Sequence, residues 1–259
     1  MTTCFGISCV FFGASCVGTT GGELIAFETV ASGPEDAVAG ELRFVTDRGW
    51  NVTLTTAKLH VGAVYLNRSM PVSGVQNTSC ILPDTYLAQV TSAVDVDMLS
   101  PAPQLFPALG EGMTTPPAIV AQVWLTGGRI DRIDDRTPIL KIAGVAEKGS
   151  DRRPFSGTVT IGSNRIAGGT DSTQAGASPI CNERIVSPIP VSIALTKGGS
   201  LRLRLDPRFL FTNVDFAALP PRGDAFAFTD DVSAQDQPSF NLYGNLRAAS
   251  PLYALEWVP

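Results

Sequence analysis

His60 is the one imidazole in this chain, so any chemistry that runs through histidine must use it. Its neighbours Lys58, Leu59 and Val61 offer no partner to orient it as a base. A nucleophile system needs a base within reach and a third group behind that base. The sequence has no Gly-x-Ser-x-Gly elbow, no phosphate loop ending in Gly-Lys-Ser/Thr, no His-Glu-x-x-His and no Cys-x-x-Cys. Catalytic residues are therefore expected to be none, and the chain reads as a non-enzyme. His60 is also the one candidate imidazole ligand for copper(II), which favours that donor. Met70, Met98 and Met113 are soft donors, but no spacing ties them to His60. The Lys58 ammonium disfavours a further cation beside it. A structural or solvent-facing His60 without stoichiometric copper is the expectation.

Carboxylates are more plentiful. Asp95-Val96-Asp97 puts two on one face of an extended segment, since side chains alternate along a strand. Asp131, Asp134 and Asp135 are interleaved with Arg129, Arg132 and Arg136, which neutralise them, and Asp230, Asp231 and Asp236 form a third group. Calcium takes such oxygens, yet none of the groups follows the spacing of an EF-hand loop. No cofactor is expected; copper at His60 and calcium in these loops are the alternatives. Trp50, Trp124 and Trp257 all fall in strand-like runs. Aromatics there read as packing, with a sugar-binding platform as the alternative.

Cysteine carries the most specific covalent chemistry. The apolar run Phe5–Phe12 leads through Gly13-Ala14-Ser15 to Cys16. An apolar stretch ending in small residues reads as an export signal, and a cysteine directly after them resembles the lipobox of bacterial lipoproteins. Residues 1–15 are read as a signal-like segment, Cys16 as the lipidated residue and 16–40 as a Gly- and Pro-containing tether. The departure is that residues 1–15 hold no Lys or Arg, the first basic residue being Arg43; a buried first strand is the competing reading. The run is too short to span a bilayer. Beyond this region only Cys80 and Cys181 remain. In an oxidising compartment an even pair reads as a disulfide, and closing a loop of about 100 residues would contribute about 4–5 kcal/mol.

Composition bounds the rest. Hydrophobic residues make up 44% of the chain and charged residues 17%, enough apolar content to fill a core. The net charge of −5 excludes nucleic acid as a natural partner, which needs clustered positive charge. The expected partners are a membrane, through the lipid anchor, and an unknown protein or small-molecule ligand.

The elements that must position these residues are short strands. Trp50–Thr55 is apolar on even positions, whereas Ala57, Leu59, Val61, Ala63 and Tyr65 are apolar on odd ones. That change of phase predicts a bulge near Thr56 in a segment able to pass from one sheet to another. Further strands are predicted at Glu41–Val45, Tyr86–Thr91, Ile119–Leu125, Ile139–Ala146, Phe155–Ile161, Val191–Leu195, Leu201–Leu205, Phe226–Thr229, Phe240–Leu246 and Leu252–Val258. Lys197-Gly198-Gly199-Ser200 reads as a hairpin turn, and Asp206-Pro207 as the cap and first position of a helical turn. The fold class is all-β, an antiparallel β-sandwich over 41–259, with an up-and-down β-barrel as the alternative.

One family resemblance covers a fifth of the chain. Phe44–Leu54 through Tyr65-Leu66, Leu203-Arg204-Leu205-Asp206-Pro207 and Asn213-Val214-Asp215-Phe216 resemble myxobacterial-type lipoproteins. More distantly they are similar to the methanobactin-associated, MbnP-like periplasmic proteins. That likeness implies a β-sandwich linked to copper. The family uses histidine ligands and an oxidisable tryptophan; here there is one histidine, and Phe209 and Leu210 follow Asp206-Pro207 with no Trp. The function expected is an exported, lipid-anchored protein of the bacterial cell envelope with a binding or structural role, periplasmic or surface-exposed. A copper-handling protein is the alternative, and an envelope hydrolase stands behind both.

Overall fold

A computed structural model describes residues 22–69, 86–126, 135–162, 182–230, 236–249 and 251–259. In chain order the strands are β1 (Leu24–Ser32), β2 (Leu42–Val45), β3 (Asn51–Val61), β4 (Ala63–Asn67), β5 (Tyr86–Val90), β6 (Val94–Asp97), β7 (Gln104–Leu105) and β8 (Gly110–Met113). They continue with β9 (Ala118–Trp124), β10 (Pro138–Lys148), β11 (Asp151–Thr160), β12 (Ile185–Ile193), β13 (Ser200–Leu205), β14 (Pro221–Arg222), β15 (Ala225–Phe228) and β16 (Tyr253–Val258). One helix, α1 (Gln237–Arg247), lies before the last strand.

The strands form two sheets. The first runs β12-β9-β4-β5-β8-β1-β13-β16, with β7 beside β1; the second runs β14-β15-β11-β10-β3-β2, with β6 beside β3. The fold is all-β, as expected, and the sandwich and barrel readings meet in it. The end strands β12 and β16 of the first sheet approach each other, so that sheet curls toward a barrel. Pairing is antiparallel except for β1 with β13 and β11 with β15. One apolar cluster joins the sheets, with Leu54, Leu59 and Ile142 from the second meeting Leu66, Val123 and Leu203 from the first. Among the described residues no helix is long and apolar enough to cross a membrane.

β3 and β4 follow the sequence pattern closely. Val52 and Leu54 are buried on even positions, Ala57, Leu59 and Val61 on odd ones. The switch is a bulge at Thr55: Leu54 pairs with Gly144 and Thr56 with Ala143, leaving Thr55 unmatched, its Oγ donating to the Ala143 carbonyl. Gly144 is needed there, because a Cβ would sit 2.4 Å from the Thr53 carbonyl oxygen. The passage between sheets comes six residues after Thr56, at Gly62. It resets the phase. Val64 and Leu66 point into the core, and Tyr65, expected to share a face with Leu59 and Val61, lies on the opposite side.

Four further expectations are corrected. β1 falls inside the 16–40 stretch read as a tether. Its alternating burial and its pairing to β8 and β13 make it an inner strand, so the ordered body begins before residue 41. The buried set Ile25, Phe27, Thr29 and Ala31 is a period-2 pattern hidden by small residues. Phe240–Leu246 is helix, not strand: Asp236 caps it by accepting from Ser239 N, Pro238 sits in its first turn, and Leu242 and Leu246 bury one face at helical spacing. Phe240 is left outside. Lys197–Ser200 turns the chain, with Gly198 at φ +85°, but the strands it joins, β12 and β13, are not paired. The Val191–Leu195 strand is the tail of a longer one that starts at Ile185. Asp206 does cap a helical turn, Pro207–Phe211, and β16 pairs with β13 along its length.

Candidate functional site: an amide and aromatic face

The residues named from sequence are dispersed. Cys16, Cys80 and Cys181, with the lipid attachment and the disulfide they imply, lie outside the described residues, as do Asp131, Asp134, Asp231 and Met70. His60 lies on the outer face of β3, its side chain 19% exposed, and its Nδ1 is 2.6 Å from Asp95 Oδ1 on β6. Register puts Lys58 opposite Asp97, so the two carboxylates of Asp95-Val96-Asp97 each face a basic side chain's strand position. Asp97 Oδ1 also accepts from Leu99 N. Asp230 accepts from Thr160 N and Oγ1, and Asp236 caps α1 while accepting from Thr229 Oγ1. Asp135 pairs with the fully buried Arg184 at 3.1 Å. Among the described residues no three His, Cys, Asp or Glu side chains gather as a metal would require. Trp50 is a core residue, and Trp257 packs edge-on against Phe27 with its indole N–H donating to Thr196 Oγ1.

Trp124 is different. On β9, Ala121 and Val123 belong to the core, so Gln122 and Trp124 project from the other face. Register then assembles a patch across neighbouring strands. Tyr65 of β4 lies between Gln122 of β9 and Gln89 of β5; Asn67 lies beside Val120 and Tyr86. The Tyr65 ring centroid is 4.4 Å from Tyr86 and 4.7 Å from Trp124, at interplanar angles of 35° and 47°. The three rings are half-buried. Burial pushes the Tyr65 phenol above the usual tyrosine range.

The amides on this face are buried without being satisfied. Asn67 and Gln122 are each 0% exposed. Gln122 Oε1 accepts from the Trp124 indole at 3.2 Å, but its Nε2 has no partner among the described residues. Neither the Oδ1 nor the Nδ2 of Asn67 has one. On the other flank of β9, Val186 pairs with Val123 and Ile189 with Ala121, so an irregularity at Ser187-Pro188 stands opposite Gln122. The Ser187 Oγ is buried and unpartnered as well. Leaving a polar group buried and unmade costs about 1–3 kcal/mol, and native structures hold few such groups. Three adjacent strands of one face here bring several together.

Sequence reasoning passed over these residues, although a signal was present. Asn67 ends the run Ala63-Val64-Tyr65-Leu66, and Gln122 interrupts Ala118-Ile119-Val120-Ala121, each a polar residue in an apolar strand. Only pairing shows that both face the same way.

No family model matches this sequence, and no curated protein does. Among solved structures, MbnP from Methylosinus trichosporium is similar. The identity is 10% and the TM-score 0.42, over 92% of this chain and 99% of that one. This is a distant likeness in structure.

Proposed function

We propose that this chain is an exported, lipid-anchored protein of the cell envelope that binds a ligand without transforming it, and that the outer face of β4, β9 and β12 is the binding surface. The observation that carries the reading is the pair of fully buried amides, Asn67 and Gln122, with unmade hydrogen bonds beside three half-buried rings. Amides neither ionise near neutral pH nor act as nucleophiles, so the groups awaiting a partner there suit recognition. Ser187 is the one hydroxyl among them, and His60, the chain's sole imidazole, is held by Asp95 on the other sheet. Export and anchoring rest on the run ending at Cys16.

Two experiments test this. Side-chain amide resonances of the isotope-labelled chain, assigned with Asn67→Leu and Gln122→Leu, should move when one class among glycosides, amino acids, nucleobases and fatty acids is titrated in. Resonances that ignore all four classes would remove the binding surface. Membrane fractionation of Cys16→Ser should find the protein released; unchanged membrane association would remove the anchor.

A further inference from the structure

We infer that the ligand of this face is an uncharged polyhydroxylated ring, a neutral glycoside or the neutral terminal sugar of a glycan. The inference rests on the binding reading above and names the chemistry that would satisfy it. Asn67 offers both an amide donor and a carbonyl acceptor, Gln122 offers a donor through Nε2, and Ser187 Oγ can do either. Gln122 lies diagonal to Asn67 on one side and opposite Ser187-Pro188 on the other, so the complement to that set is a molecule that donates and accepts at several points along one edge. Vicinal hydroxyls do this. A carboxylate only accepts and would leave Asn67 Oδ1 unmatched; an ammonium only donates and would leave the amide N–H groups unmatched.

Charge gives the same answer. The outward positions of β4 and β9 in this patch are Ala63, Tyr65, Asn67, Val120, Gln122 and Trp124, with no ionised side chain among them. Arg184, just before β12, is already paired with Asp135. An ion taken out of water there would meet no counter-charge, at a cost far above what hydrogen bonds return. A neutral sugar carries no such penalty.

The rings complete the match. Tyr and Trp combine apolar surface with a polar tip, suiting a molecule that has C–H faces and hydroxyl edges. A flat nucleobase would need an open ring face. Tyr65 is instead packed between Tyr86 and Trp124, both tilted against it. Gln89, exposed and in register with Tyr65, extends the polar row toward solvent, where a second sugar unit would follow the first.

The test titrates the full chain with methyl α-glucopyranoside, methyl β-galactopyranoside and the methyl glycoside of N-acetylglucosamine. Adenine, glutamate and octanoate serve as comparisons. Trp124 emission and the Asn67 and Gln122 side-chain amide resonances are the readouts. At least one neutral glycoside should move all three. Asn67→Leu should weaken that response tenfold or more, about 1.4 kcal/mol, while its near-ultraviolet circular dichroism stays that of the parent. Gln89→Ala gives a second variant, at an exposed position where folding is not at stake, and should weaken binding of a disaccharide more than of a single sugar. If adenine, glutamate or octanoate moves the amide signals and no glycoside does, the sugar assignment is overturned while the binding face stands. If nothing moves them, both fall.

Discussion

Two stretches of one continuous segment, on either side of Gly62, handle polar side chains in opposite ways. On β3 the outward His60 meets Asp95 across the strand pair at 2.6 Å, and Asp95 is 78% exposed, so charge is both paired and solvated. On β4 the outward Asn67 is sealed from water and makes no side-chain hydrogen bond among the described residues. The same chain, crossing from one sheet to the other, leaves a finished polar surface for an unfinished one. Evolution tolerates an unmade buried hydrogen bond at a cost, and functional surfaces are where such costs concentrate. The difference teaches that the charged residues most conspicuous in the sequence can be paired within the structure while neutral amides are left with hydrogen bonds unmade.

The largest effect should be the same on both sides of Gly62, because both strands feed one core. Leu59 of β3 is 0% and Leu66 of β4 is 1% exposed. Leu59→Ala and Leu66→Ala should each cost about 2–5 kcal/mol in equilibrium urea unfolding. A loss confined to one of them would mean that the sheets do not share a core.

The next effect should separate the two regions. Asn67→Leu replaces an unsatisfied amide with an apolar group of similar size, so the chain should become more stable by about 1–3 kcal/mol. Destabilisation would show that Asn67 already has the hydrogen bonds this comparison denies it.

Tyrosine ionisation sharpens the contrast in another way. Tyr253 at the start of β16 is buried, its hydroxyl donating to the Leu246 carbonyl, and burial pushes its phenol far above the usual range. The unfolded chain then loses that proton at lower pH than the folded chain. The stability it contributes is fully present below about pH 10 and is lost above, by about 1.4 kcal/mol per pH unit. Tyr253→Phe should flatten that alkaline slope. The half-buried Tyr65 is shifted in the same direction, and Tyr65→Phe should change the slope less.

His60→Ala should have the smallest effect. A polar pair whose carboxylate is this exposed is worth under about 1 kcal/mol. A loss of several kcal/mol would make the β3 side the energetically critical one and reverse the comparison.

The sequence made the strands legible where one face was apolar and the other polar. The phase change around Thr56 foretold the bulge at Thr55 and the passage between sheets, because strand periodicity records which face is buried. It failed at Phe240–Leu246, where Leu242 and Leu246 are four apart, yet the exposed Phe240 mimicked a strand's even spacing. It also failed at β1, whose inner face includes Thr29 and Ala31 and whose pairing with β13 is far removed in sequence. The candidate site was legible only as odd residues in apolar runs. Asn67, Gln122 and Ser187 belong to three strands, and no local pattern announces that pairing makes those strands neighbours.

A high-resolution crystal structure, with the side-chain amides of Asn67 and Gln122 placed by their hydrogen-bond networks, tests the central claim most directly. Density for a bound ligand's hydroxyl within about 3 Å of Asn67 Oδ1 or Nδ2 and of Gln122 Nε2 is the predicted result. The account would be contradicted if those atoms were found bonded to protein groups, leaving the β4 face as complete as the His60–Asp95 side.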